Sequence, residues 1–302
     1  PEDHGPHRNF RTEWWYYTGN VSDGNGRPFG YQLTFFRSRI TPPGKNSVSS
    51  DSDTASNWRT NQIILAHAAV SDISGKTHYQ KDLVAREALG MAGISQKTDI
   101  THIFLKAWSM TIKPENHFLK AKTPEFGLDL SLIPAKPPVL HGDSGYSRKG
   151  EKQSSASCYY SFSRLEAAGK IQLGEKVYKI KGLSWMDHEF STSSLEADLT
   201  GWDWFSIQFD NETELMLYFL RKNDGSFAEA SSGTFIEKSG NGRHLQLDEV
   251  SVKVLESWKS NDTGIVYPSR WHIFIPSIKL DLTITPKLAD QEMQTELSTG
   301  VT

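Results

Sequence analysis

A single cysteine, Cys158, occurs in 302 residues, which excludes an intrachain disulfide and any cysteine-based metal cluster. No apolar run approaches the roughly 20 residues a membrane-crossing helix needs, so no stable transmembrane anchoring by this chain is expected. The formal charge is only −3 and Lys and Arg are nowhere concentrated, which argues against a nucleic-acid partner. Catalytic signatures are missing too. The chain has no His-Glu-x-x-His motif, no Gly-x-Ser-x-Gly elbow and no phosphate-cradling glycine loop. Zinc proteases, nucleotide enzymes and Rossmann enzymes drop out together, and neither a cofactor nor a metal is expected. His4-Gly5-Pro6-His7 is too short and too mobile a pair to read as a metal site. Gly142-Asp143-Ser144-Gly145 resembles a protease nucleophile segment, but Tyr146 follows where glycine belongs and no matching histidine segment precedes it. The chain opens on Pro1 rather than methionine, as it would after removal of a leader or tag.

What the sequence has in excess is aromatic β-structure. Nine tryptophans are present, and large rings fill β cores or line ligand cavities. Two hairpins echo each other. Glu13-Trp14-Trp15-Tyr16-Tyr17 returns through Tyr31 to Arg37, and Gly201-Trp202-Asp203-Trp204-Phe205 returns through Glu214 to Arg221. Each return strand ends in an apolar pair and an arginine, which reads as a duplicated β domain. Alternating segments recur at 63–70, 100–112, 127–133, 158–165, 246–255, 271–275 and 279–285. Turn residues separate them at 23–26, 74–75, 223–225 and 240–242. Only Lys81 to Ala92 reads as helical. The segment 41–59 reads as a mobile loop, and 134–157 as a loop covering a barrel mouth. A junction falls between Phe190 and Leu199, which divides the chain into 1–190 and 191–302. Many strands with little helix predict an all-β protein of barrels or sandwiches.

Acid–base chemistry has few candidates. In an extended Trp185–Phe190, His188 shares a face with Met186 and Phe190, whereas Asp187 and Glu189 share the other with Trp185. Asp203 falls on the apolar face of its strand, with Phe205, Ile207 and Phe209. A carboxyl there is costly unless paired or protonated, and burial would raise its pKa towards that of a proton donor. Alternatively Asp203 and His188 satisfy each other, or a backbone amide, in a wall between domains. His67 lies among apolar residues on both sides, as a hydrogen-bonded core residue or a ligand contact. Glu13 is a second buried acid or a strand-end charge.

Taken together, Glu13 to Asn20, Phe29 to Arg37, His67 to Asp72, Gly145-Tyr146-Ser147, Trp185 to Phe190, Gly201 to Phe205 and Leu215 to Tyr218 resemble the AttH/CrtC family. That family is lipocalin-like, contains carotenoid hydratases and many exported proteins, and is often labelled as hydrolases. The resemblance implies two tandem closed antiparallel barrels packed together, and an exported, periplasmic location. Relatives commonly carry glycine where this chain has Ser144, which speaks against a nucleophile there. Relatives also end in strands this chain lacks after Ser298, so the closing strands of the second barrel are expected to be disordered or trimmed. The function implied is binding of a small hydrophobic, isoprenoid- or lipid-like ligand. Its C=C bonds would be hydrated, isomerised or cyclised by His188, Asp203, Asp187 and Glu189, with Trp15, Tyr17, His67, Trp185, Trp202 and Trp204 against the ligand. The alternatives are a non-catalytic carrier and, third, an esterase-type hydrolase, for which no activated nucleophile is visible.

Overall fold

The computed structural model describes residues 2–40, 61–152, 154–192 and 196–295. The loop read at 41–59 lies outside the described residues. Alternating sequence becomes alternating burial: β1 (Thr12–Asp23) buries Glu13, Trp15, Tyr17 and Val21 on one face. β1 pairs with β2 (Pro28–Arg39), which pairs with β3 (Gln62–Asp72), which pairs with β4 (Thr77–Arg86). Then follow β5 (Ala92–Lys97), β6 (Ile100–Leu105), β7 (Trp108–Ile112), β8 (His117–Lys122) and β9 (Phe126–Pro134). β10 (Val139–Leu140) and β11 (Tyr146–Arg148) are short, and β12 (Ala156–Leu173) and β13 (Lys176–Ser191) are long. These strands make one antiparallel sheet in the order β4-β3-β2-β1-β13-β12-β9-β8-β7-β6-β5. The sheet curls until β3 and β4 meet β6, forming a nearly closed barrel. Its interior is packed with side chains including Trp15, Tyr17, Leu33, Phe35, Trp108 and Met186.

Beyond the barrel, β14 (Leu199–Gln208), β15 (Glu214–Lys222), β16 (Ser232–Ile236) and β17 (Gly242–Gln246) form a four-stranded sheet. β18 (Ser251–Lys259), β19 (Val266–Ile275) and β20 (Leu280–Ile284) form a three-stranded one. Phe205, Leu217, Phe219, Leu245 and Ile273 fill the layer between these two sheets. The other face of β14 and β15 packs Trp204, Met216 and Tyr218 against Trp185 and Tyr159 on the outside of the barrel. The chain is therefore all-β with one nearly closed barrel. The second half is seen as two facing sheets rather than the closed barrel expected. No helix among the described residues is long and apolar enough to cross a membrane.

Two expectations are corrected. Lys81 to Ala92 is not helical: β4 runs to Arg86, followed by a turn. Its Ala, Leu and Glu content favours helix, but register with β3 puts Leu83 and Ala85 against the barrel core, and that burial overrides local propensity. The 134–157 loop does not simply cap a mouth. β10 and β11 pair along β12, and Lys136, His141 and Ser147 all reach the four-stranded sheet.

One irregularity shapes the junction of the two halves. Between the pairs Phe162↔Met186 and Leu165↔Ser184, β12 has two residues, Ser163 and Arg164, opposite the single Trp185. Regular alternation would aim these two side chains to opposite faces. The bulge lets both reach one carboxylate: Glu214 accepts from Ser163 Oγ (3.2 Å) and Arg164 Nε (2.6 Å). Lys136 Nζ donates to the same group at 2.9 Å. Two cations of the first half thus close on one buried anion of the second.

Candidate active site

β13 is buried on both faces from Ser184 to Ser191, and its two faces serve different layers. Even-numbered residues point into the barrel, where His188 Nε2 donates to Glu13 Oε1 at 2.9 Å. Glu13 comes from β1 and is held by Arg37 of β2, whose Nε donates to Oε2 at 2.8 Å. His7 Nδ1 lies 2.7 Å from the same Glu13 Oε1, and its backbone N–H also donates to that carboxylate. The Trp15 ring stacks on His188 with centroids 4.6 Å apart, and the Phe190 ring stacks on His7 at 3.6 Å. Tyr160 Oη lies 3.1 Å from His188 Nδ1 and 2.6 Å from His4 Nδ1.

The N-terminal segment is thus anchored over the barrel. Trp15 Nε1 donates to the His4 carbonyl, and the mobile His4–His7 pair of the sequence reading is a packed lid instead. Burial pushes the Glu13 carboxyl up, but the bonds from His188 and His7 and the charge of Arg37 outweigh it and hold the pKa at about 2. Burial keeps the His188 pKa below its ordinary value despite the bond to Glu13. His7, Glu13 and His188 also form a group that could hold a metal ion among the described residues.

Odd-numbered residues of β13 face the four-stranded sheet. Asp187 Oδ1 accepts from Trp185 Nε1 at 2.7 Å and from Ser161 Oγ, its cross-strand partner on β12. Tyr159 also bonds to Asp187, and Trp204 Nε1 of β14 donates to the Tyr159 hydroxyl at 3.1 Å. His141 bridges the halves, with Nε2 2.7 Å from Ser161 Oγ and Nδ1 2.9 Å from Thr234 Oγ1. Glu189 accepts from Ser157 Oγ at 2.5 Å and from Lys149 Nζ at 3.2 Å. The Lys149 ammonium also sits 3.9 Å from the Tyr218 ring centroid, a cation–π contact. Burial drives the Asp187 pKa up to about 7 despite the bonds from Ser161 and Trp185. Behind Tyr218 opens a cleft of about 1140 Å³, lined also by Arg148, Leu199, Ala228, Ser232 and His244.

The four residues expected to act on one ligand thus lie in separate places. Asp187 and Glu189 share a layer with Trp185 and Trp204, and His188 lies behind them with Trp15. Asp203 joins neither group: Arg221 Nη1 donates to it at 2.7 Å, near the edge of the second half. It and His188 do not satisfy each other. The echo between the hairpins does extend to this pair, because Arg221 holds Asp203 as Arg37 holds Glu13. Tyr17 is sealed in the barrel, its hydroxyl 2.8 Å from His117 Nδ1. His67 faces outward from β3 against Phe36, and Trp202 is 40 % exposed. Sequence reasoning set His7 aside as too mobile, and missed Arg37, Tyr160, His141, Ser161 and Lys149 as site residues. Tyr159 and Tyr160, adjacent on a strand and aimed at opposite layers, were the best available signal for both sites.

Buried neutral histidines make stability pH-dependent. Burial depresses His141 and His117 to about 3, so between about 6.5 and 3 the unfolded chain binds protons that the folded one does not. Stability therefore falls as pH drops through that window. Asp187 acts oppositely, because its folded pKa of about 7 lies above the ordinary 3.8. With His4, which burial lowers to about 4, three histidines act against one carboxyl and leave a net loss of about 4 kcal/mol between pH 7 and 4.5. Urea unfolding at the two pH values checks this; equal or higher stability at pH 4.5 would refute it.

A family described as AttH-like matches residues 1–301. The solved structure of a protein assigned to AttH from Nitrosomonas europaea is similar with a TM-score of 0.84 and 30 % identity, covering 97 % of this chain and 85 % of that one. Kievitone hydratase from Nectria haematococca shares the fold at a TM-score of 0.67 and 12 % identity, over 97 % of this chain and 81 % of that one. No curated protein matches the chain. With a match over nearly its whole length, and a solved relative at 30 % identity similar over 97 % of it, this chain belongs to the AttH-like family.

Proposed function

We propose that the protein binds a small apolar ligand between the barrel and the second half and adds water to, or removes it from, a C=C bond of that ligand. The observation that carries this reading is Asp187: a buried carboxyl, protonated near neutrality, enclosed by Trp185, Trp204 and Tyr159. In the forward direction the Asp187 proton forms a C–H bond at one alkene carbon, and the other carbon becomes cationic. Aromatic faces stabilise such a cation by about 2 kcal/mol or more when water is excluded. Water then bonds to the cationic carbon, and its surplus proton returns to the Asp187 carboxylate. Ser161, whose hydroxyl is in turn held by His141, fixes that carboxyl in place. Kievitone hydratase has a hydratase's name and the same fold, but a fold does not fix a reaction, so the weight rests on Asp187.

The second reading is a carrier. It is favoured by the protein donors already on Asp187 and Glu189, and by the pairing of Asp203 with Arg221. In both readings the facing sheets of the second half act as an incompletely closed second barrel, and the location is exported. Native mass spectrometry of protein from its own host, followed by solvent extraction, separates the two. Two bound species differing by one water would support the lyase, whereas a single unmodified lipid at full occupancy would exclude it in favour of the carrier.

A further inference from the structure

The group on the barrel side of β13 has no part in that reaction, yet its geometry is specific. Three donor atoms converge there: His7 Nδ1, Glu13 Oε1 and His188 Nε2, all within 4.8 Å of one another. Two imidazoles and one carboxylate are a donor set suited to zinc and its first-row neighbours, with no need of thiolate. Metal ligands also need their outer atoms held, an imidazole by a group that accepts from its remote N–H and a carboxylate by a donor. Each of the three has such a partner. His7 Nε2 faces Asp3 Oδ1 at 3.3 Å. His188 Nδ1 faces the Tyr160 hydroxyl at 3.1 Å. Glu13 Oε2 takes Arg37 Nε at 2.8 Å, and Arg37 is itself fixed by Gln62 and by the carbonyls of His7 and Phe10.

The rings are also set in position by packing, His188 on Trp15 and His7 on Phe190. Both imidazoles point at a single oxygen, Glu13 Oε1, which concentrates three donor atoms at one point. His7 is the partly exposed member, at 19 % against 0 % for the other two, so an ion would enter past the N-terminal segment. We propose that His7, Glu13 and His188 bind one divalent transition-metal ion of the zinc class, which pins the N-terminal segment to the barrel mouth.

The test uses the full chain, stripped by a chelator and dialysed, with Zn²⁺ or Co²⁺ as the probe. Calorimetry should show one tight equivalent of Zn²⁺, and Co²⁺ should give the visible absorption of a nitrogen- and oxygen-ligated ion. His7→Ala sits on the surface segment and leaves the barrel core intact; it should weaken binding about tenfold or more and shrink the Zn²⁺-induced rise in Tm accordingly. His188→Gln should do the same, with its fold checked by circular dichroism. Asp3→Asn, which only orients His7, should weaken binding about tenfold. No stoichiometric binding by the native chain would overturn the proposal. So would binding that survives both His7→Ala and His188→Gln, since the ion would then lie elsewhere. None of these readouts depends on ligand turnover, so the metal site and the proposed reaction can fail separately.

Discussion

Replacing Glu214 by alanine should cost about 3–5 kcal/mol of stability, because it strands the buried Lys136 and the largely buried Arg164 at once. Lys136 and Arg164 come from the barrel half and Glu214 from the four-stranded sheet, so the loss falls on the contact between the halves. Lys136 would keep the carbonyls of Glu212 and Glu237, and Arg164 that of Phe209. Neutral carbonyls do not compensate two desolvated charges. Removing all three charges together, as Lys136→Met, Arg164→Met and Glu214→Leu, should be far milder, since the penalty lies in leaving charges unpaired. Chemical denaturation of the two variants decides the point. A Glu214→Ala protein within 1 kcal/mol of the native one, a bound set by the worth of exposed ion pairs, would show that water reaches this cluster.

Asp187→Asn should cut turnover of the extracted ligand by about 10²–10⁴-fold, the usual range for a positioned general acid. The fold should persist. An amide oxygen still accepts from Ser161 and Trp185, and a neutral group is cheaper to bury than one that ionises near pH 7. The loss should therefore appear in kcat, with ligand affinity nearly unchanged, and Tm should stay level or rise. Turnover that survives Asp187→Asn removes this carboxyl from the chemistry. A comparable loss from Asp203→Asn would instead move the site to the outer edge of the second half.

Much of the architecture was legible because burial alternates with period two. The two tryptophan hairpins, the strand from Gly127 and the extended stretch Trp185 to Phe190 lie where the sequence reading put them, whereas the segment 100–112 breaks into two strands. The faces of Asp187, His188 and Glu189 were also readable. What each face meets was not, because that depends on how the halves dock and on the Ser163–Arg164 bulge, which no local signal marks. His7 escaped because Gly5 and Pro6 beside it look like a frayed end. Its anchors, Tyr160 and Glu13, come from distant strands. The stretch from Lys81 misled for the opposite reason: its composition is helical and only its pairing partner makes it a strand.

The two-sided burial of β13 has an evolutionary reading. Residue parity along one strand works as an address: even positions belong to the barrel interior and odd positions to the layer beyond it. A substitution at one parity alters one compartment and leaves the other's lining intact, so the two could drift independently under separate selection. Insertion or deletion within the strand would exchange the addresses, placing Asp187 where His188 belongs. Members of this family should therefore vary in the residues of each layer far more readily than in the length of the strand between them.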